Sequence, residues 1–265
     1  MGSYIGLFKM TFKGELQYRA KAISGVVTQL FWGFMYIYLY TSFMGGKIIN
    51  GFSIAQMVSY VWLNQAFFAL RIVDLPKNCA KEIENGNVCY KFVRPVDLYN
   101  QWYFEHIGYK MSAALIRCIP LIVVTFILPA TMRLSLPVNF ASFGIFLLAL
   151  IIGASITSAI SMIAVCLTFK TLSARGVLSI VNTVCGLLGG AYIPLVFMPQ
   201  AMQNVLNYLP FRFIMDLPAR IYIGNIPPLE ALKFIAIALA WLIFLLIIGK
   251  LLMKKISKRT IIQGG

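Results

Sequence analysis

Residues 81–103 read KEIENGNVCYKFVRPVDLYNQWY and form the longest polar stretch of the chain. Apolar runs separated by short loops make up most of the remaining sequence. A polar block of this length needs a physical reason to stand outside the apolar remainder, and contact with a soluble partner is the most economical one. The fold therefore depends on how the apolar runs are arranged around residues 81–103.

The composition is that of an integral membrane protein. The 265 residues are 60% hydrophobic and 12% charged, whereas soluble domains are about half apolar and about one quarter charged. The mean hydropathy is +0.83. A helix that crosses a bilayer needs roughly 20 mainly apolar residues. The sequence therefore predicts one all-α membrane domain, residues 1–265, with six transmembrane helices at about 22–43, 53–72, 108–132, 140–169, 177–195 and 229–253.

The distribution of Lys and Arg predicts the orientation of these spans. With a cytoplasmic N-terminus, 17 of the 23 basic residues fall in cytoplasmic segments and 5 fall outside, with Arg117 within the third span. Cytoplasmic loops carry the excess of positive charge in membrane proteins. We therefore expect a multi-pass protein of the cell membrane with both termini in the cytoplasm. The net charge of +15 follows from this pattern and does not indicate nucleic acid.

The second and third spans are joined by a cytoplasmic loop, residues 73–107, for which the sequence predicts a helix-turn-helix. Gly86 is placed to end the first short helix in a left-handed conformation. A proline disfavours helix at the residue before it, so Arg94 and Pro95 interrupt the second helix. Asp97 is placed to cap the helix that leads into the third span.

Two segments flank the spans. Residues 1–21 are predicted to form an amphipathic helix along the membrane surface. Its apolar face consists of Ile5, Phe8, Phe12 and Leu16. The alternative is a plain cytoplasmic extension of the first span. At the other end, residues 254–265 form a cationic cytoplasmic tail.

Residues 186–222 follow most of the fifth span, and the part at 200–222 is too polar to cross the bilayer and too apolar for a free loop. Glycine and proline weaken a straight helix here, which predicts a re-entrant hairpin and short helices at the outer surface. The residues expected to shape the hairpin are Gly189, Gly190, Pro194, Pro199, Pro210 and Pro218.

The sequence contains no motif for catalysis or for binding a nucleotide or metal. There is no GxxxxGK[ST] phosphate loop and no HExxH sequence. The five cysteines lack CxxC spacing and indicate neither disulfides nor metal. For His106, the only histidine, a hydrogen bond at the membrane interface is favoured over catalysis. All eight acidic residues lie in loops or near span ends, whereas ion-coupled transporters commonly keep carboxylates within spans.

Three stretches together resemble the type-2 permease subunits of ABC transporters. The N-terminal helix ends in Gln17-Tyr18-Arg19, as the family's connecting helix does, and the terminal Gly264-Gly265 is similar to family tails. The sequence EIENGN at 82–87, followed by Arg-Pro, resembles the coupling region. The sequences GGAYIPLVFMP and LPFRFIMDLPARIYIG, residues 189–199 and 209–224, resemble the outer re-entrant hairpin.

This resemblance implies the permease half of an ATP-driven exporter. It implies pairing with a second permease chain, identical or related, and docking onto separate ABC ATPase subunits that bind ATP and Mg. The coupling residues it implies are Glu82, Ile83, Glu84, Gly86, Asn87, Lys91, Arg94 and Pro95. For the charged ones, the alternative is a solvated loop near lipid headgroups. The substrate pathway it implies runs along the first, second and fifth spans, where the candidate lining residues are Gln29, Asn64, Gln65 and Asn182.

Two other classes of protein stay open at this point. One is a secondary transporter or channel that is not driven by ATP, for which Arg117 offers weak support. The other is a membrane-bound enzyme or assembly factor that uses Arg212 and Asp216 of the outer hairpin. The sequence names no substrate.

Overall fold

A computed structural model describes residues 2–17, 19–92 and 96–258. These residues form helices and loops without a β-strand, which confirms the predicted all-α class for the described chain. In chain order the α-helices are α1 (Gly2–Glu15), α2 (Arg19–Met44), α3 (Ile54–Ala66), α4 (Phe68–Arg71), α5 (Cys79–Glu84), α6 (Cys89–Phe92), α7 (Leu98–Ile127), α8 (Phe140–Thr171), α9 (Ala174–Leu188), α10 (Gln200–Leu206), α11 (Asp216–Tyr222) and α12 (Pro228–Ser257).

Three of the described helices, α7, α8 and α12, are long and apolar enough to cross a membrane by length and composition. They coincide with the spans predicted at 108–132, 140–169 and 229–253. Helix α7 begins ten residues before its predicted span because the carboxylate of Asp97 accepts a hydrogen bond from the Asn100 amide, 3.0 Å away, and starts the helix there.

The other three predicted spans differ in detail from the helices observed. Helix α2 covers the first predicted span. It is not among the three helices named above, because its tyrosines, its tryptophan and Gln29 lower its mean hydropathy. The second, predicted as one helix, is two: α3 and α4 are divided at Phe67, whose φ of −103° and ψ of 20° leave the helical region. Helix α9 ends at Leu188 rather than at 195, because Gly190 adopts a φ of +76°.

Helix α8 lies at the centre of the fold and packs against α7, α9, α11 and α12. Small residues on α8, including Ala154, Ser158 and Ala159, are completely buried. Such residues let helix backbones approach closely. The buried hydroxyl group of Thr157 donates to the Gly153 carbonyl, 3.0 Å away, so the polar side chain is satisfied within the helix. The centre of the fold is therefore a closely packed helix, in which the buried hydroxyl group of Ser161 has no hydrogen-bond partner among the described residues.

Gly153 is where the segment before α11 presses most closely on α8. An ideal Cβ atom at this position would lie 2.7 Å from the carbonyl oxygen of Ile214 and 2.8 Å from that of Phe213. Both neighbours are backbone atoms, so neither can turn away as a side chain would. We expect Gly153→Ala to lower the free energy of unfolding by about 1–3 kcal/mol through overpacking, measured as a lower thermal midpoint in detergent.

The matched control for this prediction is Gly144→Ala, on the same helix. No atom lies within 4 Å of a Cβ added at Gly144, and alanine is about 1 kcal/mol more favourable than glycine in a helix. This control is therefore expected to leave the midpoint unchanged or to raise it. Equal midpoints for the two variants would contradict the close approach at Gly153.

Helix α1 packs along the first half of α7. The rings of Tyr4 and Phe104 stack with centroids 5.8 Å apart. Of the predicted apolar face, Phe8 and Phe12 are half-buried, whereas Ile5 is 50% exposed and Leu16 lies at the edge of exposure. The backbone of Phe8 lies close to Gly108 of α7, where an ideal Cβ atom would be 2.8 Å from the Phe8 carbonyl oxygen. That α1 lies along the membrane surface stays a prediction.

Candidate transport cavity

A cavity of about 830 Å³ opens between helices α2, α3, α4, α7 and α9 and the segment that follows α9. Its wall contains amide side chains, two arginines and several aromatic rings. The aromatic residues are Trp32, Tyr36, Phe68, Tyr192 and Phe211. Volumes of this size are typical of small-molecule sites, which combine an apolar wall with a few polar groups.

The four residues that we predicted for a substrate pathway all line this cavity. Gln29 of α2 and Asn64 and Gln65 of α3 are buried in the chain. The Asn64 amide donates to the Tyr60 carbonyl one turn back, at 2.9 Å. Oε1 of Gln29 makes no hydrogen bond with any part of the chain that the structure describes. An unpaired buried acceptor is costly, so Gln29 is ready to accept a bond from a molecule in the cavity.

Asn182, the fourth of these residues, fastens α9 to the connector that follows α4. Its Oδ1 atom accepts from the Val73 amide at 2.9 Å and its Nδ2 atom donates to the Val73 carbonyl at 2.7 Å. The side chain thus pairs with both backbone groups of one residue, as a neighbouring strand would. The connector is residues 72–78, and it leads from the cavity wall to α5.

Replacing Asn182 with leucine is expected to release this connector. Both backbone groups of Val73 would lose their partner, and Val73 itself is buried, so local opening becomes easier by about 1–3 kcal/mol. Hydrogen exchange of the peptide that contains residues 72–78 would then be faster by about tenfold or more. Thr183→Val, on the exposed side of α9, is the control and should leave that exchange unchanged. Equal exchange in the two variants would contradict the role of Asn182.

A buried ionic cluster also holds the connector 72–78 in place. Asp74 of the connector contacts Nε2 of His106 at 3.0 Å and Nζ of Lys110 at 2.5 Å. Lys110 also donates to the carbonyl oxygens of Ala69 and Ile72. Burial alone would raise the pKa of the Asp74 carboxyl, but the bond to His106 and the charge of Lys110 hold that pKa below its ordinary value. Lys110 was counted as a cytoplasmic loop charge, whereas the structure buries it almost completely.

The two arginines of the cavity wall are Arg71, the last residue of α4, and Arg117 on α7. Both are half-buried. Arg117 was recognised in the sequence because it lies within a predicted span. Arg71 was missed because it was assigned to the cytoplasmic loop, although it lies inside the predicted span 53–72. The signal that identified Arg117, a lone charge within a span, would have identified Arg71 as well.

The outer segment after α9 contains a second ionic cluster, centred on Asp216. Its carboxylate contacts Nε of Arg212 at 3.1 Å and Nε of Arg220 at 3.0 Å, and accepts the Tyr60 hydroxyl at 2.9 Å. Asp216 is 1% exposed. The side chains that an enzyme of the outer hairpin would use are therefore buried and paired with one another, although Nη2 of Arg220 has no hydrogen-bond partner among the described residues.

The glycines and prolines predicted to shape this outer segment lie mostly at breaks between its elements. Helix α9 is capped at Gly189. Pro194 precedes a 3-10 turn at Leu195–Phe197, and Pro199 precedes α10. Pro210 comes shortly before a second 3-10 turn, Arg212–Ile214, and Pro218 lies in the first turn of α11, where a missing amide is tolerated.

The predicted coupling residues fall around the α5–α6 turn. Gly86 has a φ of +74°, which is the left-handed conformation expected there. Glu82 and Lys91 form an ion pair at 2.6 Å. Glu84 and Asn87 are exposed, whereas Ile83 belongs to the core. Arg94 and Pro95 lie outside the described residues, and so does the Gly-Gly terminus.

An all-helical fold of apolar helices around a polar and aromatic cavity defines a membrane transport protein. The sequence profile of the family described as ABC-2 family transporter protein matches residues 27–264. The chain belongs to this family and is a type-2 ABC transporter permease. It is therefore a membrane transport component and not itself a catalytic subunit, and its family implies association with ABC ATPase subunits. No curated protein matches the sequence.

Proposed function

We propose that this chain is the membrane-spanning half of an ATP-driven exporter, located in the cell membrane with both termini in the cytoplasm. It pairs with a second permease chain and lies on two ATPase subunits, which bind ATP and Mg. The observation that carries this proposal is the short connector 72–78, which joins the wall of the cavity to the α5–α6 turn and is fixed by Asn182 and by the Asp74 cluster.

Six spans fit the described helices when the shorter ones are combined. At about 1.5 Å per residue, α3 and α4 together are about 27 Å long, close to the bilayer core of about 30 Å. Helix α9 is about 22 Å long by the same measure. The outer segment 189–222 packs against α8 and would supply the remaining depth as a re-entrant hairpin.

Coupling in this proposal is mechanical. The exposed tip of the α5–α6 turn, with Glu84 and Asn87, enters a groove on the ATPase. Closure of the ATPase dimer on ATP displaces α5, and the connector transmits that displacement to α4 and, through Asn182, to α9. Both helices line the cavity, so the cavity changes shape as rigid helices move.

The chain offers no candidate group for a secondary transporter coupled through a cavity carboxylate. All eight acidic side chains belong to the part of the chain that the structure describes, and none of them lines the cavity. The positive and amide-rich wall instead suits a pathway whose energy is supplied from outside the membrane domain.

The test of the proposal is affinity purification of the tagged chain from its native membranes in mild detergent, followed by mass spectrometry and an ATP hydrolysis assay. We expect a stoichiometric ATPase that carries a phosphate loop. A related permease in equal amount would identify a heterodimer. Transport activity in a preparation without any ATPase would overturn the proposal and favour a secondary transporter.

The Glu82–Lys91 ion pair suggests which charges contact the ATPase. Because these two residues form an ion pair with each other, exchanging them in the double variant Glu82→Lys/Lys91→Glu should preserve retention of the ATPase subunit. Glu84 is exposed at the same turn, so Glu84→Lys is expected to lower retention about tenfold through misplaced charge. Quantitative mass spectrometry of the purified complex measures both. Equal retention in both variants would show that Glu84 makes no contact with the ATPase.

A further inference from the structure

The two arginines of the cavity differ from every other buried basic group in this fold. Arg212 and Arg220 share the single carboxylate of Asp216, and Lys110 pairs with that of Asp74. Arg71 and Arg117 form no ion pair with any of the eight acidic side chains, all of which belong to described residues. Uncompensated charge at membrane depth is expensive and marks a functional site. The cavity therefore holds two positive charges without a counter-charge.

The local packing directs both guanidinium groups to the cavity. Arg71 lies over the ring of Phe68, with its Cζ atom 4.7 Å from the ring centroid. Arg117 lies against α2 at Gly25, where an ideal Cβ atom would be 3.4 Å from its Nε atom. Gly25 and Phe68 themselves line the cavity. Each guanidinium group is thus in contact with the cavity wall and not with an acidic side chain.

The rest of the cavity wall is suited to contact the apolar part of a ligand. Trp32, Tyr36 and Tyr192 present aromatic surface to the same space. Gln29 is 5% exposed and its Oε1 atom has no partner among the described residues, so it can accept a bond from a donor group of a ligand. Guanidinium groups bind carboxylates, sulfonates and phosphates through charge-assisted hydrogen bonds.

We propose that the cavity binds an amphiphilic anion, with its acidic group on Arg71 and Arg117 and its aromatic or aliphatic body on the ring-lined wall. If this anion is the transported substrate, that part of the proposal rests on the function proposed above. The binding of an anion in the cavity does not depend on that function. The anion can be a free small molecule or the headgroup of an anionic lipid, since both present the same chemistry to the arginines.

The test uses the full chain, with whatever co-purifies, in phosphatidylcholine nanodiscs and two fluorescent probes. The anionic probe is 1-anilinonaphthalene-8-sulfonate, and the neutral probe is N-phenyl-1-naphthylamine, which has the same rings without the sulfonate. Empty nanodiscs supply the background. We expect the anionic probe to bind at least tenfold more tightly than the neutral one. Arg71→Gln and Arg117→Gln should each weaken the anionic probe about tenfold and leave the neutral probe unchanged.

Arg133→Gln is the matched control, because Arg133 is exposed and outside the cavity. It should alter neither probe. Unchanged binding of the neutral probe also reports that a variant is folded. The proposal is overturned if both arginine variants weaken the anionic probe less than threefold, or if they weaken both probes equally. If one of the two arginine variants fails to insert, the threefold threshold is applied to the other variant alone.

Two further measurements are needed. One distinguishes a lipid headgroup from a free solute as the ligand, and the other distinguishes failure of the anion site from failure of the ATP-driven exporter. Adding phosphatidylglycerol to the nanodiscs should displace the anionic probe if the ligand is a lipid headgroup, and should leave its affinity within twofold if the ligand is a free solute. Probe binding needs no ATPase. Selective anion binding by a chain without ATPase would therefore support the site while refuting the ATP-driven exporter, and the reverse result would refute only the site.

Discussion

Replacement of Asp216 with alanine is expected to lower the free energy of unfolding by about 3–5 kcal/mol, because it leaves two buried guanidinium groups without their shared carboxylate. Arg212 is 2% exposed and Arg220 is 7% exposed, so neither side chain can turn to water. The Tyr60 hydroxyl loses its acceptor at the same time. For a chain of this size we expect a fall in thermal midpoint of about 10 °C, measured in detergent as loss of monodisperse protein.

Two variants make this expectation specific to the cluster. Glu230→Ala removes an exposed carboxylate from the first turn of α12 and should cost less than about 1 kcal/mol. The triple replacement Arg212→Met/Asp216→Leu/Arg220→Met removes the charges together, and such replacements are often neutral or stabilising. A midpoint for Asp216→Ala within 2 °C of that for Glu230→Ala would show that the cluster does not hold the outer segment.

The features that the sequence predicts correctly depend on local physics. Helices α8 and α12 follow from long apolar runs. The cap at Asp97 and the left-handed Gly86 follow from residue types that favour those backbone conformations. Each signal is contained within a few neighbouring residues, so no knowledge of the tertiary structure is needed to interpret it.

The features that it misses depend on contacts between distant segments. Close to the break at Phe67, the amino group of Lys110 donates to the carbonyl oxygens of Ala69, 41 residues earlier in the chain, and of Ile72. Lys110 was one of the 17 basic residues counted in cytoplasmic segments, because a lysine near a span end gives the same sequence pattern whether it faces water or Asp74. The close approach of Phe8 in α1 to Gly108 of α7 could not be predicted for the same reason.

The cavity, too, has features that the sequence predicts and features that depend on contacts between distant segments. Gln29, Asn64 and Gln65 were predicted to line a pathway because of the resemblance to ABC permeases, whereas polar side chains in apolar spans by themselves indicate only that they face protein or a cavity. That Asn182 would bind the backbone of Val73 was not predictable from its own helix. Four polar residues can be assigned to one cavity from sequence, but which of them is free to meet a ligand depends on hydrogen bonds that only the fold creates.

Replacement of Gly86 with proline is expected to lower ATP hydrolysis by the assembled complex at least tenfold while the chain still inserts and folds. Proline fixes φ near −65°, whereas Gly86 has a φ of +74°. Proline also removes the amide that donates to the Ile83 carbonyl at 3.2 Å. The turn between α5 and α6 would therefore change direction, and its exposed tip would no longer fit the ATPase. ATP hydrolysis and ATPase retention are both measured on the tagged complex in nanodiscs.

Gly86→Asn is the control that separates backbone conformation from side-chain size. Asparagine tolerates the left-handed region better than other residues with a side chain, and Gly86 is exposed with no atom within 4 Å of an added Cβ. Hydrolysis within twofold of the wild type is expected. If both variants hydrolyse ATP normally, the α5–α6 turn is not the coupling element. If both fail, the ATPase requires glycine's lack of a side chain at this tip rather than the turn that it makes.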